Sequence, residues 1–325
     1  MNRRHEVLAI GETMAMVTPV AGGRLDGGSG LVLHPGGAES NVAASLAQFG
    51  ADVAWASAVG ADALGDMIVQ TVASHGVDVE QVRRDTAAPT GVYFKDPTPT
   101  GTEVLYYRSG SAASEMGPDR LAEWTALHPR LVHVSGITPA LSAGCAELIE
   151  RIVLDRVFGD ALVSFDVNHR PGLWDRPAGP RLLELASHAD IVFVGRDEAE
   201  RVWGVAQADA VRALLPDVGH LLVKDGDVEA VAYSPSGRHA VPARRVDVVD
   251  PVGAGDAFAA GWLMAHLRGA AERDKLALGH WTAAQVLSVP GDLAPLPTYE
   301  FAMSAAAALP ATSPTLAMSA FDRES

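Results

Sequence analysis

Apolar residues along the chain are gathered into short runs, separated by longer stretches in which apolar and polar positions mix. The runs at 7–10, 53–59, 131–135, 162–166, 191–194 and 220–224 are rich in Val, Leu, Ile and Ala. Runs of that length without alternation predict strands buried on both faces, as in a parallel sheet. Between them, residues 38–49, 67–74, 143–157, 182–189 and 196–203 predict helices, the first two closed by Gly50 and Gly76. Repeated strand and helix units imply a parallel sheet covered by helices on both faces. Two regions break the rhythm. Residues 14–17 are strand-like and lead into a glycine-rich loop at 22–30, and from Gly91 the pattern alternates, with 92–94 and 104–108 flanking a turn at 97–101, which predicts a hairpin. Residues 228–233 and 239–242 predict short antiparallel strands. Residues 245–249 predict a further strand, and the Ala-rich, Pro-interrupted sequence from about 304 predicts a frayed helix and a flexible end.

The strand at 245–249 enters Asp250-Pro251-Val252-Gly253-Ala254-Gly255-Asp256-Ala257-Phe258, and an apolar helical run follows to Leu267. Glycines at 253 and 255 let several main-chain N–H groups converge on one point. At a helix N-terminus those donors and the positive end of the helix dipole favour an anion such as a phosphate. Asp256 stands where the loop meets the helix, and two readings of it stay open. It is a helix N-cap, or a general base that takes the proton of a substrate hydroxyl while the loop amides hold a transferring phosphoryl group.

Far upstream, Pro35-Gly36-Gly37-Ala38-Glu39-Ser40-Asn41-Val42-Ala43-Ala44 reads as a Gly-Gly turn followed by a helix with small and apolar faces. Taken together and in this order, the two stretches closely resemble the signatures of the ribokinase-like (PfkB) family of sugar and nucleoside kinases. The resemblance implies a ribokinase-like three-layer α/β/α fold, with a mostly parallel sheet and a small β-sheet lid. The kinase domain would span 1–300, with lid segments at about 12–34 and 90–112, and 301–325 would be a flexible tail. It further implies ATP and Mg2+, leaves a monovalent cation open, and points to a homodimer or higher homo-oligomer.

The same resemblance distributes roles. Gly36, Gly37 and Asn41 would bind the acceptor sugar beside Asp256, with Tyr93, Tyr106 and Arg108 closing over it from the lid. Tyr106 and Arg108 share one face of their strand by alternation. Arg108 with the following Ser109-Gly110-Ser111-Ala112-Ala113-Ser114 resembles the subset of the family acting on 2-keto-3-deoxygluconate, and a guanidinium fork matches the two oxygens of a carboxylate. An unexceptional Arg on a solvent-exposed lid is the plainer reading. Phe165-Asp166-Val167-Asn168-His169-Arg170-Pro171-Gly172-Leu173-Trp174 is similar to a carbohydrate-kinase motif, which implies that Asn168 and Arg170 lie between the two substrates. Otherwise Arg170 pairs with Asp166 or Asp175; His169 is expected to pack. Gly195-Arg196-Asp197-Glu198 stands where the family has Asn-x-x-Glu, implying that Glu198 organises water around the magnesium ion, though it also suits a helix N-terminal acid. Lys224-Asp225-Gly226 resembles the turn near the nucleotide phosphates and ribose, or is a strand-end lysine. Residues 281–291, with Ala284, resemble the helix and turn bordering adenine, and small residues on a helix otherwise mean packing.

Gly11, Asn168, Arg170, Gly195, Lys224, Asp225 and Asp256 all fall at or just after the end of a predicted strand, where ligands of such sheets bind. Phosphorylation of the primary hydroxyl of 2-keto-3-deoxygluconate or a related sugar acid is the favoured function. A fructokinase- or ribokinase-type enzyme is the alternative of the same class, and a non-catalytic sugar-binding regulator the alternative of another; a complete glycine loop with Asp256 weighs against the regulator.

Composition narrows the rest. With 325 residues and 48% of them hydrophobic, a large core is available. A net charge of −15 argues against nucleic-acid and anionic-membrane partners. The single cysteine, Cys145, excludes a disulfide framework and a Cys-rich metal site. No run approaches the ~20 apolar residues of a membrane span, and the first strand is too short for a signal sequence, so a cytoplasmic protein is expected. Neither a Walker A motif nor a Gly-x-Gly-x-x-Gly after the first strand is present, which argues against P-loop kinases and dinucleotide oxidoreductases.

Overall fold

The structure, a computed structural model, describes residues 5–20, 23–28, 30–98, 101–174 and 177–308. In chain order its first half contains β1 (Val7–Ile10), β2 (Met14–Pro19), β3 (Leu31–Gly36), α1 (Ala38–Gln48), β4 (Val53–Gly60), α2 (Ala63–Ser74), β5 (Val82–Asp85), β6 (Val92–Thr98), β7 (Gly101–Tyr107), α3 (Leu121–Thr125), β8 (Leu131–Ser135) and α4 (Ala143–Val153). There follow β9 (Leu162–Asp166), α5 (Gly179–His188), β10 (Ile191–Gly195), α6 (Arg196–Trp203), α7 (Ala208–Leu214), β11 (His220–Asp225), β12 (Glu229–Ser234), β13 (Gly237–Pro242), α8 (Ala254–Leu267), α9 (Glu272–Leu287) and α10 (Tyr299–Ala307).

Nine strands form the main sheet in the order β13-β12-β11-β10-β9-β8-β1-β4-β5. Pairing is parallel from β11 to β5 and antiparallel for β12 and β13. Successive side chains of a strand point to opposite faces, and the core divides accordingly. Leu8, Ile10, Val132, Val134, Val163, Phe165, Val192 and Val194 pack beneath α4, α5, α6 and α7. Val7, Ala9, Trp55, Leu131, Ile191 and Phe193 pack on the other side, against α1, α2, α8, α9 and α10. The result is the three-layer architecture. Four more strands, in the order β3-β2-β6-β7, make a small separate sheet whose β2 and β6 are parallel.

Several elements depart from the sequence pattern. Residues 245–249 form no strand: Val248 and Val249 are 58% and 59% exposed, and the chain crosses to the glycine loop unpaired with β13. Apolar residues alone do not make a strand when no sheet edge receives them. β5 was not legible, because its Val82-Arg83-Arg84-Asp85 is polar, as an edge strand can be. The helix expected over 143–157 ends at Val153, and α9 begins nine residues before the 281–291 segment. The tail expected from 301 opens as the last turns of α10, where Ala302 and Ala306 are buried and Arg244 Nη2 donates to the carbonyls of Ala305, Ala306 and Ala308. Residues 309–325 lie outside the described residues. Among the described residues no helix is long and apolar enough to cross a membrane.

Candidate active site

Where the C-terminal ends of β1, β9, β10 and β11 face the small sheet and the N-terminus of α8, the molecule has a cleft of about 1190 Å³. That exceeds the space one small ligand ordinarily fills. The cleft brings together Gly36, Gly37 and Asn41 from the β3–α1 junction, Tyr93, Tyr106 and Arg108 from the small sheet, and Asn168, Arg170 and Glu198 from the main sheet's rim. Lys224, Gly226, Gly253, Ala254, Gly255, Asp256 and Ala284 complete it. Asp225 does not line it and ion-pairs with Arg196 at 3.1 Å instead, because neighbours on a strand point to opposite faces and Lys224 takes the inward one.

Gly253, not Asp256, holds the N-cap position of α8, with φ +83. Asp256 lies inside the first turn and is 9% exposed, and its Oδ2 accepts a hydrogen bond from Asn41 Nδ2 at 2.9 Å. α8 itself is buried almost all round, so its start is held rigidly between the main sheet and α9. Burial pushes the Asp256 carboxyl up to about 7; the Asn41 hydrogen bond and Arg170 work against that, and the charges of Asp166 and Asp292 reinforce it.

Opposite the glycine loop, Lys224 Nζ lies 3.1 Å from Asp166 Oδ2. Burial disfavours the ammonium, but Asp166, Glu198 and Asp256 more than offset this and raise its pKa. Asp166 Oδ1 and Asn168 Oδ1 are buried and hydrogen-bond to no described residue, and Asn168 adopts φ +39, uncommon outside glycine. Glu198 Oε2 accepts the Gly195 N–H at 2.8 Å, closing the N-terminus of α6, while burial and then Asp166 raise its pKa. Among the described residues Arg170 reaches only the carbonyl of His169, at 3.4 Å, and it pairs with no carboxylate; Asp175 lies outside the described residues. His169, expected to pack, lines the cleft with Nδ1 buried and unpartnered among the described residues.

On the small-sheet side, Arg108 is no exposed cation. Its Nε donates to Glu12 Oε2 at 2.7 Å, its Nη2 donates to the same oxygen, and Ser111 Oγ donates to Glu12 Oε1 at 2.6 Å. The guanidinium lies 5.8 Å from the Tyr106 ring, whose centroid is 5.7 Å from that of Tyr93. A Cβ on Gly36 would fall 2.1 Å from the Tyr93 hydroxyl, so a side chain there would have to displace the Tyr93 ring. Glu12, Lys95, Asp250 and Asp292 also line the cleft or flank its loop and were given no role by sequence, though Asp250 opens the glycine motif. Glu12 directly follows a strand-end glycine, and Lys95 alternates with Tyr93 on one strand face; both signals were available. Cys145 is buried with its thiol pushed up to about 11, mainly by burial, and donates to backbone carbonyls, which makes it inert.

The model of the pfkB family carbohydrate kinases matches residues 4–299. The chain belongs to this family. It is 35% identical to the 2-dehydro-3-deoxygluconokinase of Bacillus subtilis (strain 168), covering 91% of this chain and 93% of that one. It is 32% identical to the 2-dehydro-3-deoxygluconokinase of Thermoproteus tenax, covering 90% and 91%. The fold superimposes on a fructokinase of Xylella fastidiosa solved with bound ATP, with a TM-score of 0.78 at 24% identity over 92% of this chain and 97% of that one. This pfkB protein is a sugar kinase.

Proposed function

We propose that this kinase transfers the γ-phosphoryl group of ATP to the primary hydroxyl of 2-keto-3-deoxygluconate, also written 2-dehydro-3-deoxygluconate, or of a closely related sugar acid. The observation that carries the reading is Asp256: a buried carboxyl, oriented by Asn41, titrating near neutrality and standing one residue beyond a glycine loop that opens a helix. A general base works best when its pKa lies near the operating pH. As the hydroxyl oxygen bonds to the γ-phosphorus, its proton passes to Asp256 and the bond to the β-phosphate oxygen breaks, releasing ADP. The amides of Gly253, Ala254, Gly255 and Asp256 hold the transferring group, and Arg170, unpaired among the described residues, offsets the charge spreading over its oxygens.

Gly36, Gly37, Asn41 and Asn168 hold the acceptor, with Tyr93, Tyr106 and Arg108 covering it from the small sheet, which excludes water. Lys224 and Gly226 face the nucleotide phosphates, and Ala284 borders the base. Among the described residues no group of three or more His, Cys, Asp or Glu could hold a metal by itself. The unpartnered Asp166 Oδ1 and, through water, the neighbouring Glu198 would hold a Mg2+, which would neutralise phosphate charge. One observation favours a neutral acceptor such as fructose: Glu12 already engages two donors of the Arg108 fork.

The test is ATP-dependent phosphorylation across 2-keto-3-deoxygluconate, fructose, ribose and adenosine, with Asp256→Asn in parallel. Fastest turnover of the sugar acid, lowered by about 10²–10⁴-fold in the variant, is expected. Preference for fructose or ribose would remove the sugar-acid reading, and an unimpaired variant would remove the base.

A further inference from the structure

Lys95 is the most deeply buried cation of the small sheet, 3% exposed, and it leaves that sheet altogether. Its Nζ lies 3.0 Å from Asp250 Oδ2 and 3.0 Å from Asp292 Oδ1. The two carboxylates converge on this one ammonium, and both touch the glycine loop. Asp250 Oδ1 accepts the Val252 N–H at 3.0 Å, so this side chain shapes the turn leading into Gly253. Asp292 packs its backbone against Gly253 so closely that a Cβ there would lie 2.6 Å from the Asp292 carbonyl oxygen. Asp292 Oδ2 in turn accepts a hydrogen bond from Tyr93 at 3.3 Å, and Tyr93 and Lys95 project from the same face of β6.

Two carboxylates beside a loop meant to receive a polyanion would repel it unless a cation stands between them. We propose that Lys95 is a positioning residue: its ammonium is the resident cation of the phosphate loop, clamping Asp250 and Asp292 around Gly253 and thereby joining the small sheet to the loop's alignment. Its effect on rate rests on the phosphoryl-transfer reading above; its effect on the loop does not. A cation supplied by the lid strand means that the loop is held in register when β6 is seated over the cleft. The same carboxylate pair would otherwise have to recruit a cation from solution.

The experiment compares wild type, Lys95→Met, Lys95→Arg and Lys95→Ala as full-length protein. Hydrogen exchange of the amides at 250–256 is measured by mass spectrometry, and turnover with ATP and the preferred acceptor is followed in parallel. Lys95→Met keeps the packing and removes the charge, so faster exchange at 250–256 is expected together with a loss of about 100-fold in kcat, the size of effect a small misplacement of reacting groups produces. Lys95→Arg restores most of the protection. Ethylammonium or K+ added to Lys95→Ala recovers protection and turnover, which filling an apolar void would not achieve. Unchanged exchange in Lys95→Met overturns the proposal, whatever the rate does; so does a defect that Lys95→Arg and added cations leave untouched. Should wild type phosphorylate no acceptor, the kinase chemistry fails on its own account while the exchange data still decide the role of Lys95.

Discussion

Two buried acids tie this molecule's stability to pH. Asp256 and Glu39 are both pushed up to about 7 by burial; Glu39 is only partly compensated by Ser135 Oγ at 2.7 Å and Thr138 Oγ1 at 3.3 Å, and its Oε2 has no partner among the described residues. Each carboxyl therefore holds its proton more tightly folded than unfolded, where the pKa is about 4. The folded state binds more protons in that interval, so these groups make stability fall as pH rises from about 4 to about 7, with the full penalty above. Glu39→Gln is accordingly expected to raise the melting temperature by about 2 °C or more at pH 8 and to leave it nearly unchanged near pH 4. Thermal melts of both proteins across that range check this, and parallel curves would refute it. For Asp256, the proposed base, the sign for activity is opposite: a base must be ionised, so kcat/KM is expected to climb as pH rises through about 7, even as the same ionisation weakens the fold.

At the scale of elements, the junction of glycine loop and α8 concentrates the constraints. Gly253 combines φ +83 with no room for a Cβ against Asp292, whereas a Cβ on Gly255 would meet only the Lys224 ammonium, at 3.4 Å and at the end of a flexible side chain. Gly253→Ala is expected to cost about 1–3 kcal/mol of stability and about 100-fold in kcat, with Gly255→Ala clearly milder in denaturant titration. Equal costs would mean that the loop yields at Gly253. The glycines themselves were legible, because glycines between a strand-like run and a helix are a local signal. The direct hydrogen bond from Asn41 to Asp256 was not, since it joins residues on α1 and α8 far apart in sequence. The missing strand at 245–249 shows the converse. Its Val-rich pattern is a local signal, and local signals do not reveal whether a neighbouring strand has an open edge to offer.

At the scale of the whole molecule, the small sheet carries an apolar surface. Leu31, Leu33, Leu105 and Tyr107 are 50%, 49%, 39% and 65% exposed on its two edge strands, β3 and β7. Apolar side chains on unpaired strand edges invite a second sheet, and the prediction is a homodimer joined there. Leu33→Glu with Tyr107→Glu is expected to turn a dimer into a monomer in light-scattering chromatography, and a dimer that persists in the double variant would locate the interface elsewhere.

From the order of buried runs and helical stretches, the sequence by itself determined the three-layer α/β/α plan. From two motifs it also determined the kinase family, because periodicity and glycine placement are properties of neighbouring residues. The tertiary structure alone decided how charges pair. Glu12 neutralises Arg108, Lys95 bridges Asp250 and Asp292, Lys224 turns to Asp166 and Asp225 away to Arg196. The physical reason is range. Backbone preference acts over a few residues, whereas an ion pair forms where folding brings two opposite charges within about 4 Å, and no local pattern records which two those will be.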